Sequence, residues 1–485
     1  MSLRRTVPPL LITALTLLVL LGISIAANAD LAVEEMALNP EGSVYDVNAD
    51  AGGVLWISDN GAEEIWTVDP PTGVYTVYYG VGPVSDARRA TDGGVWWIDQ
   101  TDQSLRRLWP HSSEFTTWTI PGASTLFGTA IDQAGTVWLS QASDPEVYRF
   151  AVASSKLCTY TLGAQGGSNY VLAESANVWL ADWIGNSVHR VEGNSDVLTS
   201  WALPTDPFLP DARPEGLAVD GEGHVWWADS DRHHLARLEP DDSRLTTYGL
   251  PWGSQSRMVT VSGERVWYTE DARGSVGRLD PALASGSSQT ILSDTVTLTP
   301  ECSQISPDAT GVLTTTTGTA AWASTAYTSV VDADGWSIHE LPPDAYPWGI
   351  AASGGELWMV DTGRQVLARI EDSLSVTACK VADEDGELST GDDRTPLEGW
   401  TMYMLVDGAR QEPRRETGPD GCVTWDGLDP GVSYGVEEET HPDWIALTPT
   451  THSFGVGSAG DTFGYVFVNA EIEEEYRIYL PLVIR

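Results

Sequence analysis

Carboxylates recur at a fixed offset from tryptophan along this chain of 485 residues. Three residues after Trp56, Trp97, Trp138, Trp179, Trp226, Trp267, Trp322 and Trp358 stand Asp59, Gln100, Gln141, Asp182, Asp229, Glu270, Thr325 and Asp361. If the tryptophans occupy equivalent strands, these side chains lie at one height around an axis, just before a strand-to-strand turn. Such an oxygen-rich ring suits Ca2+ or Mg2+, or a cationic or hydroxyl-rich ligand, although no cofactor is required by it. The alternative, which we prefer, is that each acid caps its own turn by accepting backbone N–H bonds. Arg149, Arg190, Arg237, Arg278 and Arg369 each follow their tryptophan by 11 residues, with Thr67 in that place in the first copy. Repetition assigns these arginines to the repeat, pairing with carboxylates or stacking on aromatic rings. There is no zinc motif, no phosphate-cradling loop and no Gly-x-Ser-x-Gly elbow, so a nucleophilic hydrolase has no residues to work with.

The elements that position these groups are strands. Successive register tryptophans are 41, 41, 41, 47, 41, 55 and 36 residues apart, and a period near 40 is the length of one four-stranded propeller blade. In the fifth copy PEGLAVD, HVWWADS, HLARLEP and RLTTYGLP read as four strands, with DGEG as the first hairpin turn. The expected fold class is therefore all-β, a β-propeller of eight blades by repeat count with seven as the alternative, over residues 30–372. The tryptophan excess, 21 against 7 Phe, is assigned mainly to packing between blades. The stretch from Glu34 to Leu38 reads as the fourth strand of an incomplete blade, closing the ring against the last blade near Ile370.

The recurring P-x-G-[IL]-A, D-x-x-G-x-[VL]-W and [IV]-x-R-[LIV] pattern, fullest in PEGLAVDGEGHVWWADSDRHHLARL and PWGIAASGGELWMVDTGRQVLARI, resembles the seven-bladed propeller family of streptogramin B (virginiamycin B) lyase. The resemblance implies a magnesium-assisted elimination carried by histidines and glutamates at the axial mouth. On the matching positions this chain has Glu215 where the substrate-contacting His is expected. Tyr346 takes the place of a metal-binding Glu, Trp348 that of the base, and Asp361 lies near the remaining acid. A tryptophan neither takes a proton nor ligates magnesium, so the elimination loses its base. The expectation is a binding protein, with a metal-dependent lyase or lactone hydrolase at the acidic mouth as the competing reading.

From about Ser373 the tryptophan period stops. The stretch TWDGLDPGVSYGVEEE, within residues 376–470, resembles the collagen-adhesin B-type and related repeat domains of bacterial surface proteins, and implies a small β-sandwich over 373–470. That resemblance brings two chemical options. One is an isopeptide bond between Lys380 and Asn469 promoted by Glu438. The other is a calcium loop made by Asp383, Asp385, Glu387, Asp392 and Asp393, against which a solvated acidic loop is preferred. Residues 471–485 form an acidic then apolar tail.

Charge and targeting complete the reading. The chain carries 69 Asp+Glu against 26 Lys+Arg, a net charge of −43, which excludes a nucleic-acid partner bound through phosphate neutralisation. Arg4 and Arg5 precede an apolar run ending in Ala27-Asn28-Ala29, the form of a secretory signal peptide over 1–29 with cleavage expected after Ala29. The mature chain is then expected to be secreted or held at the cell surface, without a transmembrane helix, as a monomer. Its partner would be a small molecule, a glycan or a surface protein. In that compartment Cys379 and Cys422 are expected to pair within the small module, while Cys158 and Cys302 either pair or stay reduced.

Overall fold

The computed structural model describes residues 30–471 apart from 164–165, 194, 206–209, 251–253, 264, 282–283, 332–335, 354–355, 371–373, 384–393, 412, 420, 429–431 and 457–461. The expected signal peptide, the tail beyond Glu471, and Asp385, Glu387, Asp392 and Asp393 lie outside the described residues. The chain divides at Ile370 into two compact units, and among the described residues no helix is long and apolar enough to cross a membrane.

The larger unit is a propeller of seven antiparallel blades. Blades one to five are continuous in sequence, at residues 44–79, 88–119, 126–161, 168–202 and 214–249. Blade six takes Ser256–Ser262, Arg265–Glu270 and Ser275–Leu279, and is completed only by Trp336–Glu340. Blade seven takes Pro347–Ser353, Glu356–Asp361 and Val366–Ile370, and its fourth strand is the N-terminal Asp30–Ala37, in register from Val33↔Ile370 to Ala37↔Val366. That pairing closes the ring and leaves no open edge between its last and first blades. The eight-blade count is corrected to seven. Trp322 stands in no second strand: it begins Trp322–Val331, which pairs with the N-terminal strand and then with Trp336–Glu340.

What separates the two halves of blade six is a belt. From Ser287 the chain runs backwards around the rim, adding a fifth strand to each blade in turn. Ser287–Thr290 joins blade five, Ser293–Thr297 blade four, Glu301–Gln304 blade three, Ala309–Val312 blade two and Thr314–Thr319 blade one. Ser288, Thr295, Cys302, Thr310 and Thr317 pair with Thr246, Thr199, Cys158, Thr116 and Thr76 of the blades. Three residues after each comes Ile291, Leu298, Ile305, Leu313 or Ala320, an apolar group packed into a different core cluster. The N–H of each donates to a carbonyl in a blade turn, of Ser243, Asp196, Ser155, Ser113 and Gly73 respectively, at 2.7–3.0 Å. The belt thus has its own period of seven or eight residues, one blade per step.

The blade motif has a local cause. In D-x-x-G-x-[VL]-W the aspartate caps the hairpin: Asp50 Oδ1 accepts from Gly52 N and Val54 N, at 2.8 and 3.1 Å, while Oδ2 accepts from Trp56 Nε1 at 3.1 Å. Asp132 with Trp138 and Asp220 with Trp226 repeat the arrangement. Four register tryptophans then lie under their cross-strand arginines, with Arg149, Arg190, Arg237 and Arg278 each 5.6 Å from the ring centroid. In blade two the cross-strand pair is Trp96↔Arg107, equivalent to Trp138↔Arg149. The register tryptophan there is Trp96, not Trp97, and the acid at its offset is Asp99, not Gln100.

The smaller unit is a sandwich of two sheets. Leu374–Asp383 pairs in parallel with Thr462–Glu471 and antiparallel with Cys422–Leu428, while Thr401–Val406, Ser433–Glu438 and Thr451–Val456 build the facing sheet. Val376, Ala378, Trp400, Met402, Val436 and Phe467 fill its core. Cys379–Cys422 and, in the propeller, Cys158–Cys302 are disulfides.

Candidate functional site

The acids at the tryptophan offset are buried in their own blades. Asp59, Asp99, Gln141, Asp182, Asp229, Glu270 and Asp361 are each at most 3% exposed. Asp59 Oδ1 accepts from Ser43 N and Ala62 N at 2.7 and 3.0 Å, Asp182 Oδ1 from Gly167 N and Gly185 N at 3.0 and 2.6 Å, and Asp229 Oδ1 from Arg213 N and Arg232 N at 3.1 and 3.2 Å. Asp361 Oδ1 accepts from Tyr346 N, Gly363 N and Arg364 N at 2.7–3.2 Å, and Glu270 Oε2 accepts from Ser275 Oγ at 2.8 Å. In the four aspartates a single carboxylate oxygen ties the loop entering the first strand to the turn leaving the second. Among the described residues no group of three or more His, Cys, Asp or Glu side chains is arranged to hold a metal ion. Asp59, Asp182, Asp229 and Asp361 are thus turn caps, while Glu270 is held by a serine hydroxyl.

The axial face is built by a different repeated position. Each capping residue pairs with the first residue of its blade's first strand: Val44↔Asp59, Leu126↔Gln141, Pro214↔Asp229, Ser256↔Glu270 and Pro347↔Asp361. A register shift follows at once in four of these strands, and in blade five after one further pair, Glu215↔Ala228; a bulge of this kind re-aims a side chain. The second residues are Tyr45, Phe127, Glu215, Arg257 and Trp348. Glycine follows where the next blade comes closest. A Cβ on Gly216 would stand 2.8 Å from the Arg257 carbonyl oxygen, and one on Gly349 would stand 2.7 Å from Asp46 Cα. That crowding is the physical content of P-x-G.

These side chains form an aromatic plug below a charged rim. Tyr45 lies 4.9 Å from Trp348 and 6.1 Å from Phe127, and Phe127 lies 6.1 Å from Tyr170, between ring centroids. The space left among them is about 30 Å3, enough for about one water. Asp46 and Asp86 also line it; burial and the neighbouring Asp86 charge push the Asp46 carboxyl up to about 7, against the pull of Arg88.

At the rim, Arg257 Nη1 donates to both oxygens of Glu215, at 2.9 and 2.8 Å, and its Nε donates to Asp271 Oδ2 at 2.8 Å. Arg213 Nε stands 2.6 Å from Glu215 Oε1. Tyr346 Oη donates to the same Asp271 oxygen at 3.0 Å. Arg257 lies 5.3 Å over Trp348, which stacks on Tyr346 at 5.8 Å. Burial opposes the Arg257 charge, but Glu215 and Asp271 overcome it and hold the guanidinium protonated. The structure thus brings Glu215, Tyr346 and Trp348 together, and adds Arg213, Arg257 and Asp271, which sequence reasoning missed. Arg257 was findable as the second residue of SRMVTV, the place Glu215 holds in PEGLAV.

In the small module Lys380, Glu438 and Asn469 meet in the core, each at most 2% exposed. Lys380 Nζ donates to Glu438 Oε2, and Asn469 Nδ2 donates to the same oxygen at 3.4 Å. Burial lowers the Lys380 ammonium to about 8, although Glu438 opposes the shift. Of the calcium-loop candidates only Asp383 is described. It is buried, with Arg394 Nε 3.4 Å from its Oδ2.

The model of the virginiamycin B lyase family matches residues 31–289, ending as the belt begins. A virginiamycin B lyase of Nocardia farcinica is 25% identical over 155 residues, 32% of this chain and 51% of that protein. The match therefore spans about half the length of that curated relative. Among solved structures, selenomethionine-substituted virginiamycin B lyase from Staphylococcus aureus is 16% identical with a TM-score of 0.52, covering 70% of this chain and 98% of that one. A catalytically inactive variant of virginiamycin B lyase from Staphylococcus aureus with quinupristin gives a TM-score of 0.53 at 16% identity, with the same coverage. At such identity the likeness is one of fold.

Proposed function

Since the chain belongs to the virginiamycin B lyase family, we propose that it is a member whose axial face binds a ligand without performing the elimination, in a protein exported from the cytoplasm. The observation that carries this is the state of Glu215. Its carboxylate is enclosed by two guanidinium groups and is 2% exposed, so its lone pairs are committed to those donors and closed to a substrate proton, even though burial outweighs the guanidinium groups and pushes the carboxyl above its usual range. Trp348 beside it supplies a surface for stacking and no proton acceptor. What faces outward is half-exposed aromatic surface, Tyr346 at 38%, beside cationic groups. Incubating the mature protein with a streptogramin B and Mg2+ should leave the macrocycle intact, while a glycan and small-molecule screen should return a ligand that Trp348→Ala loses. Ring opening at an enzymatic rate, or hydrolysis of a lactone panel, would overturn this reading in favour of the lyase or lactonase.

For the smaller unit we propose a collagen-adhesin B-like module carrying an internal cross-link. The neutral Lys380 amine attacks Asn469 Cγ, the new C–N bond forms, and ammonia leaves with a proton relayed by Glu438. The contact of all three groups in the core supports the step. Intact mass should fall by one ammonia in the native chain and not in Glu438→Gln; an unchanged native mass refutes it.

A further inference from the structure

Beside the first hairpin turns of blades four and five, outside the axial cluster, lies a cleft of about 490 Å3 whose walls include Trp179, Arg190, Glu174, Glu222, Asp241 and Asp242. Blade four differs there from its neighbours. In blades one, three and five an aspartate six residues ahead of the register tryptophan accepts the indole N–H, as Asp50, Asp132 and Asp220 do at 2.9–3.1 Å. Blade four has Ala173 at that offset and a two-residue hairpin closed by Glu174↔Asn177. Trp179 is only 3% exposed, yet its Nε1 donates to no described residue, and unlike Nε1 of Trp267 and Trp358 it is not sealed in the core. Arg190 lies 5.6 Å over the Trp179 ring. Its one ion contact among the described residues, Glu192 Oε1 at 3.6 Å, is beyond hydrogen-bond length.

Blade one shows what such a pair of donors takes. There Asp50 Oδ2 accepts from Trp56 Nε1 at 3.1 Å and from Arg89 Nη1 at 2.6 Å, with that guanidinium 5.9 Å over the Trp56 ring. Trp179 and Arg190 hold the same two donor types with no carboxylate between them, so one carboxylate brought by a ligand satisfies both. The rest of the cleft is anionic. Glu174, Glu222, Asp241 and Asp242 are exposed, whereas Asp220 is used by its own turn and Glu239 by Arg237 and Arg244. A simple anion would be repelled by the four exposed acids, and a diamine would leave Trp179 and Arg190 unmet. A basic α-amino acid carries one carboxylate and two cationic groups and so meets both requirements, and the cleft lies within the range of small-molecule sites. We propose that this cleft binds a free basic α-amino acid of the lysine or arginine type, its carboxylate on Trp179 Nε1 and Arg190 and its cationic groups toward the four acids. The proposal does not depend on the reading of the axial face.

Ligand-observed NMR titration of the mature full chain tests it, with lysine and arginine as probes. Cadaverine and agmatine serve as their decarboxylated counterparts, and norleucine as the control without a side-chain cation. Lysine or arginine should bind with a millimolar or lower dissociation constant, and each control about tenfold more weakly. Trp179→Phe should weaken amino-acid binding roughly five- to tenfold while leaving the thermal midpoint unchanged, because the deleted N–H has no partner among the described residues. Arg190→Thr installs the residue type that blade one carries at this position, Thr67, and should weaken binding as well. No binding of lysine or arginine, equal binding of any control, or affinity unchanged in both variants would overturn the proposal.

Discussion

The belt makes its sharpest prediction where it is covalently fastened. Across each rim the row of paired residues runs tryptophan, arginine, hydroxyl, hydroxyl: Trp179, Arg190, Thr199 and Thr295 in blade four, and Trp226, Arg237, Thr246 and Ser288 in blade five. The side-chain oxygens Thr199···Thr295, Thr246···Ser288 and Thr76···Thr317 are 3.2, 2.8 and 3.1 Å apart. Blade three has the same row with Cys158 and Cys302 in the last two places, so its disulfide substitutes for a hydroxyl pair. Replacing both cysteines by threonine restores the repeat and removes only the cross-link. The bond closes a sequence separation of 144 residues, for which the chain-entropy relation gives about 5 kcal/mol. The recovered hydroxyl pair returns about 1 kcal/mol. We therefore expect C158T/C302T to fold, with its unfolding free energy in guanidinium lower by about 4 kcal/mol when followed by tryptophan fluorescence. A midpoint that does not move would refute the argument, since the cross-link would then restrain nothing in the unfolded chain. Failure to fold would refute it too, by showing that hydroxyls cannot hold the belt in register.

Other expectations follow from the same geometry. Excising residues 285–331 and joining the two parts of blade six through a short Asn-Gly turn should leave a folded seven-bladed ring, measured by near-UV circular dichroism, with its rim amides exchanging faster. Gly349→Ala would press a methyl to 2.7 Å from Asp46 Cα, and should cost about 1–3 kcal/mol in chemical denaturation. Burial depresses His339 to about 3, with Arg278 adding to the effect, so the folded state prefers the neutral ring. Its contribution is fully present above the unfolded pKa near 6.5 and declines as pH falls below it. Relative to His339→Phe, the wild type should lose about 2 kcal/mol between pH 7 and pH 5; parallel pH profiles would show that the imidazole does not titrate on unfolding.

How far the fold was legible depended on which signal carried it. Tryptophan at a period near 40 marked seven second strands because one indole per blade is buried there, with the turn aspartate accepting its N–H in blades one, three and five and the cross-strand arginine lying over its ring in blades two to six. The same signal failed in two places for definable reasons. In blade two the tandem Trp96-Trp97 offers two registers, and only the partner strand, through Arg107, selects between them. At Trp322 a rim tryptophan borrowed the look of a blade: it packs beside Trp358, 5.8 Å between ring centroids, but belongs to the belt. The belt itself was invisible to a search for units of one blade's length. Its period is seven or eight residues, its strands are four to six residues long over blades five to one, and it sends only one apolar anchor per step into the blades from a stretch rich in serine and threonine.

The site was legible to the extent that position, more than composition, was read. Carboxylates at the tryptophan offset looked like a ring because propeller symmetry repeats whatever the turn needs, and a turn needs an acceptor for its N–H groups. The residues facing the axis come from a neighbouring repeated position whose chemistry changes from blade to blade: Tyr45, Phe127, Glu215, Arg257 and Trp348. A position that must cap a turn stays chemically uniform around the ring, as six acids and one glutamine do here. The bulged position carries no such duty, so its side chain is free to serve a ligand. In a propeller the informative column of the repeat is therefore the one that varies beside an invariant one. By that criterion Glu215 and Arg257, adjacent around the axis and joined by two hydrogen bonds, set the electrostatics of the axial face, and changing either alone would upset the balance of buried charge, leaving Glu215 to Arg213 or Arg257 to Asp271.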